Sequence, residues 1–503
     1  MAEPAADTIP RLVRLGAERY PDNPVIVDSD GRLSYAELDA TTRELAAGLF
    51  AAGIGKGTRV GLIMPNGVQW VQIAIALTRI GAVLVPLSTL LQQPELVAHL
   101  RTASVQYLIT VEEFRGHRYL ADLAPHRGEL PALRAVWTPD RLPRTGDTAA
   151  VDVIGDAVAP SDTLSIMFTS GSSGPPKGVI HSHGNALGAV ASGLSARCID
   201  ADTRLYVPMP LFWVGGFGSG LLSALLAGAT LVTEQIPRPE TTLRLLERER
   251  VTLFRGWPDQ AEALARRVDE VGADLSSLRP GSLQALLPAE LRAPAGARAN
   301  LFGMTESFGP YSGYRADTDM PRSAWGSCGR PFPGMQVRIV DVDSGRPLPA
   351  GEIGEIQIRG PHVMRGICRR RREEVFTADG YYPTGDLGHL DDDGFLFYHG
   401  RSDDMFKVSG ATVYPSEVER ALRGLPGVGA AFVTEVSGAV GAAVITDRDV
   451  EDLRVAARKV LSAFKVPTLW WRVESDDAIP RKATGKVDVR ALRELLAERG
   501  VRG

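Results

Sequence analysis

The stretch Leu164–His183, LSIMFTSGSSGPPKGVIHSH, decides how the chain is read. Its opening residues are mostly apolar and predict a buried strand running to Phe168. Thr169-Ser170-Gly171-Ser172-Ser173-Gly174-Pro175-Pro176-Lys177-Gly178 follows. Hydroxyls at 169, 170, 172 and 173, with glycines at 171, 174 and 178, let backbone N–H and side-chain O–H groups surround an anion. Lys177 adds a compact positive charge suited to a phosphate. The pattern is not GxxxxGK followed by Ser or Thr, so this is no Walker A loop. A flexible Ser/Gly linker is the bland alternative, but linkers are not framed by buried strands or closed by Pro-Pro-Lys.

Upstream, short apolar runs alternate with helical patterns. Arg59–Met64, Val83–Pro86 and Val105–Thr110 read as strands, and Val68–Ile80 carries apolar residues at helical spacing. Strand, helix, strand in quick succession predicts a parallel sheet with covering helices. Phe212–Val232 is uncharged for 21 residues, long enough to span a bilayer. Its five glycines, its AGATLV ending and the lack of flanking Lys/Arg asymmetry instead predict a buried helix followed by a strand. Pro139–Pro160, polar and Pro/Asp-rich, is expected to be a surface connection.

After about Gly326 the texture turns antiparallel, with strand-like runs at Gln336–Val340, Glu355–Arg359 and Phe395–His399. Beyond Gly400, helix-like and strand-like segments alternate. They are Pro415–Leu422, Ala430–Thr434, Ala439–Thr446, Val450–Phe464, Leu469–Val473 and Val487–Glu498, which predict a small α+β domain.

The 503 residues are 44% hydrophobic and 23% charged, an ordinary globular mix. With 56 Lys+Arg against 60 Asp+Glu, the net charge of −4 argues against a nucleic-acid protein held by bulk charge. Three scattered cysteines, Cys198, Cys328 and Cys368, indicate neither a disulfide framework nor a zinc knuckle. No apolar leader opens the chain, so the expected location is cytoplasmic, without an integral membrane segment.

Only seven of the 56 basic residues are lysine. A lysine kept against that background weakly marks a need for a compact ammonium. Lys177, Lys407 and Lys486 all sit in glycine-containing segments.

The Leu164–His183 segment resembles the phosphate loop of the adenylate-forming superfamily, which includes acyl-CoA synthetases, firefly luciferase and peptide-synthetase adenylation domains. Further matches follow in the family's order. Asn300-Leu301-Phe302-Gly303-Met304-Thr305-Glu306 resembles its aromatic-Gly-x-Thr-Glu motif, and Tyr381-Tyr382-Pro383-Thr384-Gly385-Asp386-Leu387 its Tyr-x-Thr-Gly-Asp motif. Gly400–Lys407 resembles its hinge, and Pro480–Lys486 its C-terminal lysine motif. The chain is most similar to fatty-acid and related acyl-CoA synthetases.

The resemblance implies an α/β protein. A large N-terminal domain (1–402) would hold parallel α/β subdomains and a small β-barrel-like region at about 326–400. A small mobile α+β C-terminal domain (403–503) would turn on Asp403. It implies an ATP-dependent acid–thiol ligase acting through an acyl-adenylate, with ATP, Mg²⁺ and coenzyme A. Thr169, Ser170, Gly171, Ser172, Ser173, Gly174 and Lys177 would hold phosphates. Phe302 and Gly303 would meet adenine, Thr305 a phosphate oxygen, and Glu306 the Mg²⁺. Asp386 and Arg401 would hold ribose, while Lys407 and Gly410 would line the thiol tunnel. Lys486 would stabilise the charge of the adenylation transition state. Phe212, Trp213, Val214, Gly215, Gly216 and Ser307 would line the acid pocket. Trp213 stands where many members carry His, and the glycines at 215, 216, 218 and 220 suggest room for a bulky or medium-to-long apolar acid.

Two departures stand out. Where members usually read Gly-Gly-Ala before the aromatic-Gly-x-Thr-Glu motif, this chain has Gly281-Ser282-Leu283-Gln284-Ala285 and a short run to Asn300. The C-terminal domain is also short between Ala430 and Asp447. They keep two rivals in view: loading of a carrier protein in trans, and a nucleotide- or acyl-binding homologue with weakened turnover. A homodimer is left open. Arg369–Arg372, balanced by Glu373 and Glu374, reads as a solvated face, and His181 and His183, without a third ligand, as structural.

Overall fold

Ser34 opens the long helix Tyr35–Ala51 with a reciprocal cap: its Oγ accepts from Glu37 N–H at 3.1 Å, and Glu37 Oε2 accepts from Ser34 N–H at 2.8 Å. The strand Arg59–Ile63, the helix Val68–Arg79 and the strand Val83–Pro86 follow, as the alternating apolar pattern requires. The computed structural model describes residues 7–169, 176–402, 406–408, 411–461, 465–481 and 487–502. The chain divides into two compact units, 1–336 with 358–382 and 337–357 with 383–503.

The first unit is built on two sheets. The larger has seven strands, in the order Gly366–Ile367, Lys177–Ser182, Thr163–Thr169, Val83–Pro86, Arg59–Ile63, Tyr107–Thr110 and Ala135–Trp137. From Thr163–Thr169 to Ala135–Trp137 every pairing is parallel. Lys177–Ser182 turns back antiparallel and itself pairs antiparallel with Gly366–Ile367. The second sheet runs Leu253–Phe254, Arg204–Tyr206, Thr230–Val232, Pro24–Val27 and Arg32–Ser34, parallel except for its last strand. Strands such as Val83–Pro86 and Tyr107–Thr110 are buried along their whole length, as sheets covered on both faces require. A small third sheet joins Phe302–Met304, Gly309–Gly313 and Arg330–Pro331.

The uncharged run at 212–232 is a helical turn at Gly215–Leu222, a helix at Ser223–Ala227 and the core strand Thr230–Val232. Among the described residues no helix is long and apolar enough to cross a membrane. One expectation fails here. The polar connection at 139–160 contains the helix Thr148–Asp156, capped by Asp147, whose Oδ1 accepts from Ala149 N–H at 2.9 Å. Val151 is buried from it, while Asp152 meets Arg43 and Asp156 meets Arg14.

The second unit carries a four-stranded sheet in the order Gln336–Val340, Gly354–Arg359, Tyr382–Leu390 and Leu396–Arg401. Among the described residues its two outer strands are not paired to each other. A two-stranded ribbon, Phe406–Val408 with Ala411–Val413, follows. The last sheet runs Val428–Val436, Ala439–Thr446, Leu469–Val473 and Val501–Arg502, with helices Pro415–Arg423, Val450–Ala457 and Val489–Arg499.

Candidate active site

Thr169 and Lys177 are cross-strand partners at the loop end of the hairpin formed by Thr163–Thr169 and Lys177–Ser182. The polar loop therefore springs from two neighbouring strands of the central sheet. Ser170, Gly171, Ser172, Ser173 and Gly174 lie outside the described residues.

The strand that starts at Lys177 also holds the second motif. His181 is fully buried, and its Nε2–H donates to the Thr305 carbonyl at 2.9 Å. Its Nδ1 accepts from Asn185 Nδ2 at 2.9 Å, which sets the tautomer. Phe308 presses edge-on against the imidazole at 4.8 Å. Burial pushes the His181 pKa down to about 3, so the ring is neutral. His183 is buried too, accepts from Ile9 N–H at 3.2 Å, and is pushed down to about 4 by burial.

Both histidines are structural, as the lack of a third ligand suggested, but His181 does more than fill space. It ties the phosphate-loop hairpin to the Thr305-Glu306 turn. Sequence reading missed this, because the partner lies 124 residues away. A depressed histidine pKa is a stability term present above the unfolded value near 6.5 and lost as pH falls toward the folded one. By pH 5 each histidine is expected to cost about 2 kcal/mol of folding free energy. Urea titrations at pH 7 and pH 5 measure this. The loss should shrink in the His181→Gln/His183→Gln double variant, and an equal loss in that variant would place the acid sensitivity elsewhere.

Phe302–Met304 and Gly309–Gly313 form a tight hairpin around the turn Thr305–Ser307. A Cβ at Gly303 would lie 2.1 Å from the Gly309 carbonyl, so only glycine permits this approach. Half-buried Phe302 meets Tyr311 edge to face at 5.6 Å. Ser307 is buried, and its hydroxyl bonds within the turn, 2.7 Å from the Gly309 carbonyl and 3.1 Å from that of Met304.

Glu306 is 6% exposed. Tyr382 O–H donates to its Oε1 at 3.1 Å, and Met364 N–H donates to its backbone carbonyl at 2.8 Å. No hydrogen bond to its Oε2 exists among the described residues. A carboxylate held by one oxygen, with the other available, fits a Mg²⁺ ligand. Among the described residues no cluster of three or more His, Cys, Asp or Glu forms a metal cage. An ion at Glu306 would draw its remaining ligands from phosphates and water.

In the acid-pocket segment, buried Asn66 pins the chain just before Phe212 and Trp213. Its Oδ1 accepts from Leu211 N–H at 2.8 Å, and its Nδ2 donates to the Met209 carbonyl at 3.1 Å. Sequence reading gave Asn66 no role in the site. Phe212 is buried, and half-buried Trp213 lies perpendicular to it at 5.7 Å and to Trp257 at 6.1 Å. Trp257, 40% exposed, was not singled out from sequence.

The glycines of this segment do not hold open space. A Cβ at Gly215 would meet Met209 Sδ at 2.6 Å, one at Gly216 the Pro210 carbonyl at 2.1 Å, and one at Gly218 the Phe308 ring at 3.0 Å. They permit close packing of the turn that Val214 leads into. In the departing segment, Ser282 Oγ accepts from Phe254 N–H at 3.1 Å, and Gln284 Oε1 braces the shortened run by accepting from Ala293 N–H at 2.7 Å.

In the second unit, Asp386 and Arg401 are cross-strand partners. Arg401 Nη1 donates to Asp386 Oδ1 at 3.2 Å and to the Thr384 carbonyl at 2.8 Å. Asp386 lies inside the strand Tyr382–Leu390. Gly385 keeps a left-handed φ of 71° there, and its missing Cβ leaves room for the Arg401 guanidinium. Lys407 pairs through its backbone with Thr412. Asp403, Gly410 and Lys486, and the side chain of Lys407, lie outside the described residues.

The family model for AMP-binding enzymes matches residues 13–368. The chain is 34% identical over 519 residues to the 3-(7a-methyl-1,5-dioxo-octahydro-1H-inden-4-yl)propanoyl:CoA ligase of Mycobacterium tuberculosis, covering 97% of this chain and 99% of that one. It is 35% identical over 473 residues to a feruloyl-CoA synthase of an Amycolatopsis species, covering 90% and 92%. The fold matches an anthranilate CoA ligase solved with anthranoyl-AMP, with TM-score 0.82 and 24% identity over 98% of this chain and 97% of that one. CoA ligases of this family use ATP, Mg²⁺ and CoA. The chain thus belongs to the AMP-binding enzyme family, within the adenylate-forming superfamily, and its class is that of the AMP-forming acid–thiol ligases.

Proposed function

We propose that the protein joins a bulky, ring-bearing apolar carboxylic acid to coenzyme A through an acyl-adenylate, releasing pyrophosphate and then AMP. The observation that carries this reading is the His181 bridge. It holds the hairpin bearing Thr169 and Lys177 to the turn bearing Thr305 and Glu306, so donors for phosphate oxygens and a carboxylate for Mg²⁺ share one rigid support. Phosphate neutralisation by Lys177 and the loop favours attack of the substrate carboxylate on the α-phosphorus, with pyrophosphate leaving. Phe302 and Gly303 take adenine, and Asp386 and Arg401 take ribose. We assign Lys486 to adenylation and Lys407 and Gly410 to the thiol tunnel, exchanged by movement of 403–503 about Asp403. The protein supplies no covalent nucleophile; positioning and electrostatics carry both steps.

The ring-bearing substrate rests on Trp213 and Trp257. Two perpendicular indoles, one of them well exposed, make an aromatic corner next to Phe212. Relatives named for a hydrindane propanoate and for ferulate support a ring. The glycines expected to leave room for a bulky or medium-to-long apolar acid are closely packed, so the choice of a ring-bearing acid does not rest on them.

Pyrophosphate release across a panel of ring-bearing and straight-chain acids tests this. Ring acids are expected to dominate. Trp257→Ala should lower kcat/KM for the best ring acid roughly ten- to thirtyfold, about 1.4–2 kcal/mol, and barely change that for a straight-chain acid. Equal losses for both classes would contradict the aromatic corner.

A further inference from the structure

Arg359, Arg365 and Arg372 line a cavity of about 480 Å³, together with Met364, Phe376 and Asp379. Its lining thus includes three arginines and one aspartate. Arg359 is held rigidly: its Nε and Nη2 donate to Gln336 Oε1 at 2.8 and 2.6 Å, its Nη1 donates to the Asp379 carbonyl at 2.8 Å, and it lies over the Tyr381 ring at 4.4 Å. Arg372 lies over Phe376 at 4.6 Å. Arg365 is exposed and makes no side-chain ion pair among the described residues. The Asp379 carboxylate accepts from the Thr377 hydroxyl at 2.7 Å. Of the nearby acids, Glu374 pairs with Arg371 at 2.9 Å.

Two residues of the cavity wall are tied by backbone hydrogen bonds to the elements that carry the motifs. Met364 N–H donates to the Glu306 carbonyl, and Arg365 N–H donates to the Ile180 carbonyl, three residues beyond Lys177 on the same strand; both bonds measure 2.8 Å. Phe376 packs edge-on at 6.1 Å against Tyr382, whose hydroxyl holds Glu306. A cationic pit one residue layer from Glu306 attracts anions, and planar guanidinium forks suit adjacent phosphate groups.

We propose that this pit is a diphosphate site, separate from the nucleotide's own position and built by Arg359, Arg365 and Arg372. Two sources carry that chemistry in the proposed reaction, on which the inference rests: the pyrophosphate that leaves and the diphosphate of coenzyme A. The first makes the pit an exit station, the second an anchor for the thiol substrate.

The test uses the full chain with its nucleotide site filled by a non-hydrolysable ATP analogue. Inorganic pyrophosphate, coenzyme A and pantetheine, which lacks the diphosphate, are titrated by calorimetry. The Arg365→Ala/Arg372→Ala double variant should bind one of the first two about tenfold more weakly, with ATP-analogue affinity and thermal midpoint unchanged. Loss for pyrophosphate alone assigns the pit to the leaving group. Loss for coenzyme A with none for pantetheine assigns it to the thiol substrate. Absence of binding in the parent chain, or equal binding in parent and variant, overturns the proposal. Acid-dependent pyrophosphate release, measured on the parent chain separately, tells failure of the pit from failure of the ligase reading.

Discussion

Replacing Lys486 with Ala is expected to slow acyl-adenylate formation by about 10²–10³-fold, the usual loss when one group aimed at developing charge is removed. Transfer of separately supplied acyl-adenylate to coenzyme A should be nearly unchanged. The asymmetry follows from the role assigned to this lysine, which neutralises charge between carboxylate and α-phosphate in the first half-reaction only. Lys486 is one of seven lysines in a chain whose basic residues are otherwise arginine, and a point charge on a flexible stem is what that position needs. Rapid-quench assays of each half-reaction measure the split. Equal loss in both would remove Lys486 from the first step and show a general structural role.

Glu306→Gln should have the second large effect, again about 10²–10³-fold on adenylation, with a higher Mg²⁺ requirement. The amide keeps the shape and can still accept from the Tyr382 hydroxyl that now bonds Oε1, so folding should hardly change. Tyr382→Phe separates support from chemistry. It leaves the carboxylate in place and removes its positioning bond, so its loss should be milder, roughly tenfold. Adenylation rates at several Mg²⁺ concentrations, with thermal melts of each variant, make the comparison. A Gln variant with normal rate and normal Mg²⁺ dependence would take the metal away from Glu306.

Much of the fold was legible because its elements carry local signals. The strand ending at Thr169 announces itself by an apolar run stopped by hydroxyls and glycine, and Val83–Pro86 and Ala439–Thr446 have the bounds that their patterns suggest. The helix Thr148–Asp156 was lost among prolines and aspartates, although its Asp147 cap and buried Val151 are ordinary helix signals. Tyr382–Leu390 was hidden for the opposite reason. Pro383, Thr384, Gly385 and Asp386 are turn formers, and only pairing with Leu396–Arg401 makes them a strand.

Within the site, motif residues were legible and their supports were not. Thr305 and Glu306 could be named from spacing, but the histidine that holds their turn, the asparagine that pins Leu211 and the tryptophan that faces Trp213 act across long sequence separations. The glycines at 215, 216 and 218 show the converse error. Composition suggested empty space, whereas tertiary packing fills it with Met209, the Pro210 backbone and Phe308.

The most direct measurement incubates the enzyme with Mg-ATP and a ring-bearing acid, first without coenzyme A and then with it, following products by mass. The expected result is enzyme-bound acyl-adenylate and about one equivalent of pyrophosphate before coenzyme A is added, then acyl-CoA and AMP in equal amounts. Acyl-adenylate that persists when coenzyme A is supplied, or no acid-dependent pyrophosphate from a protein that still binds ATP, would contradict the ligase reading.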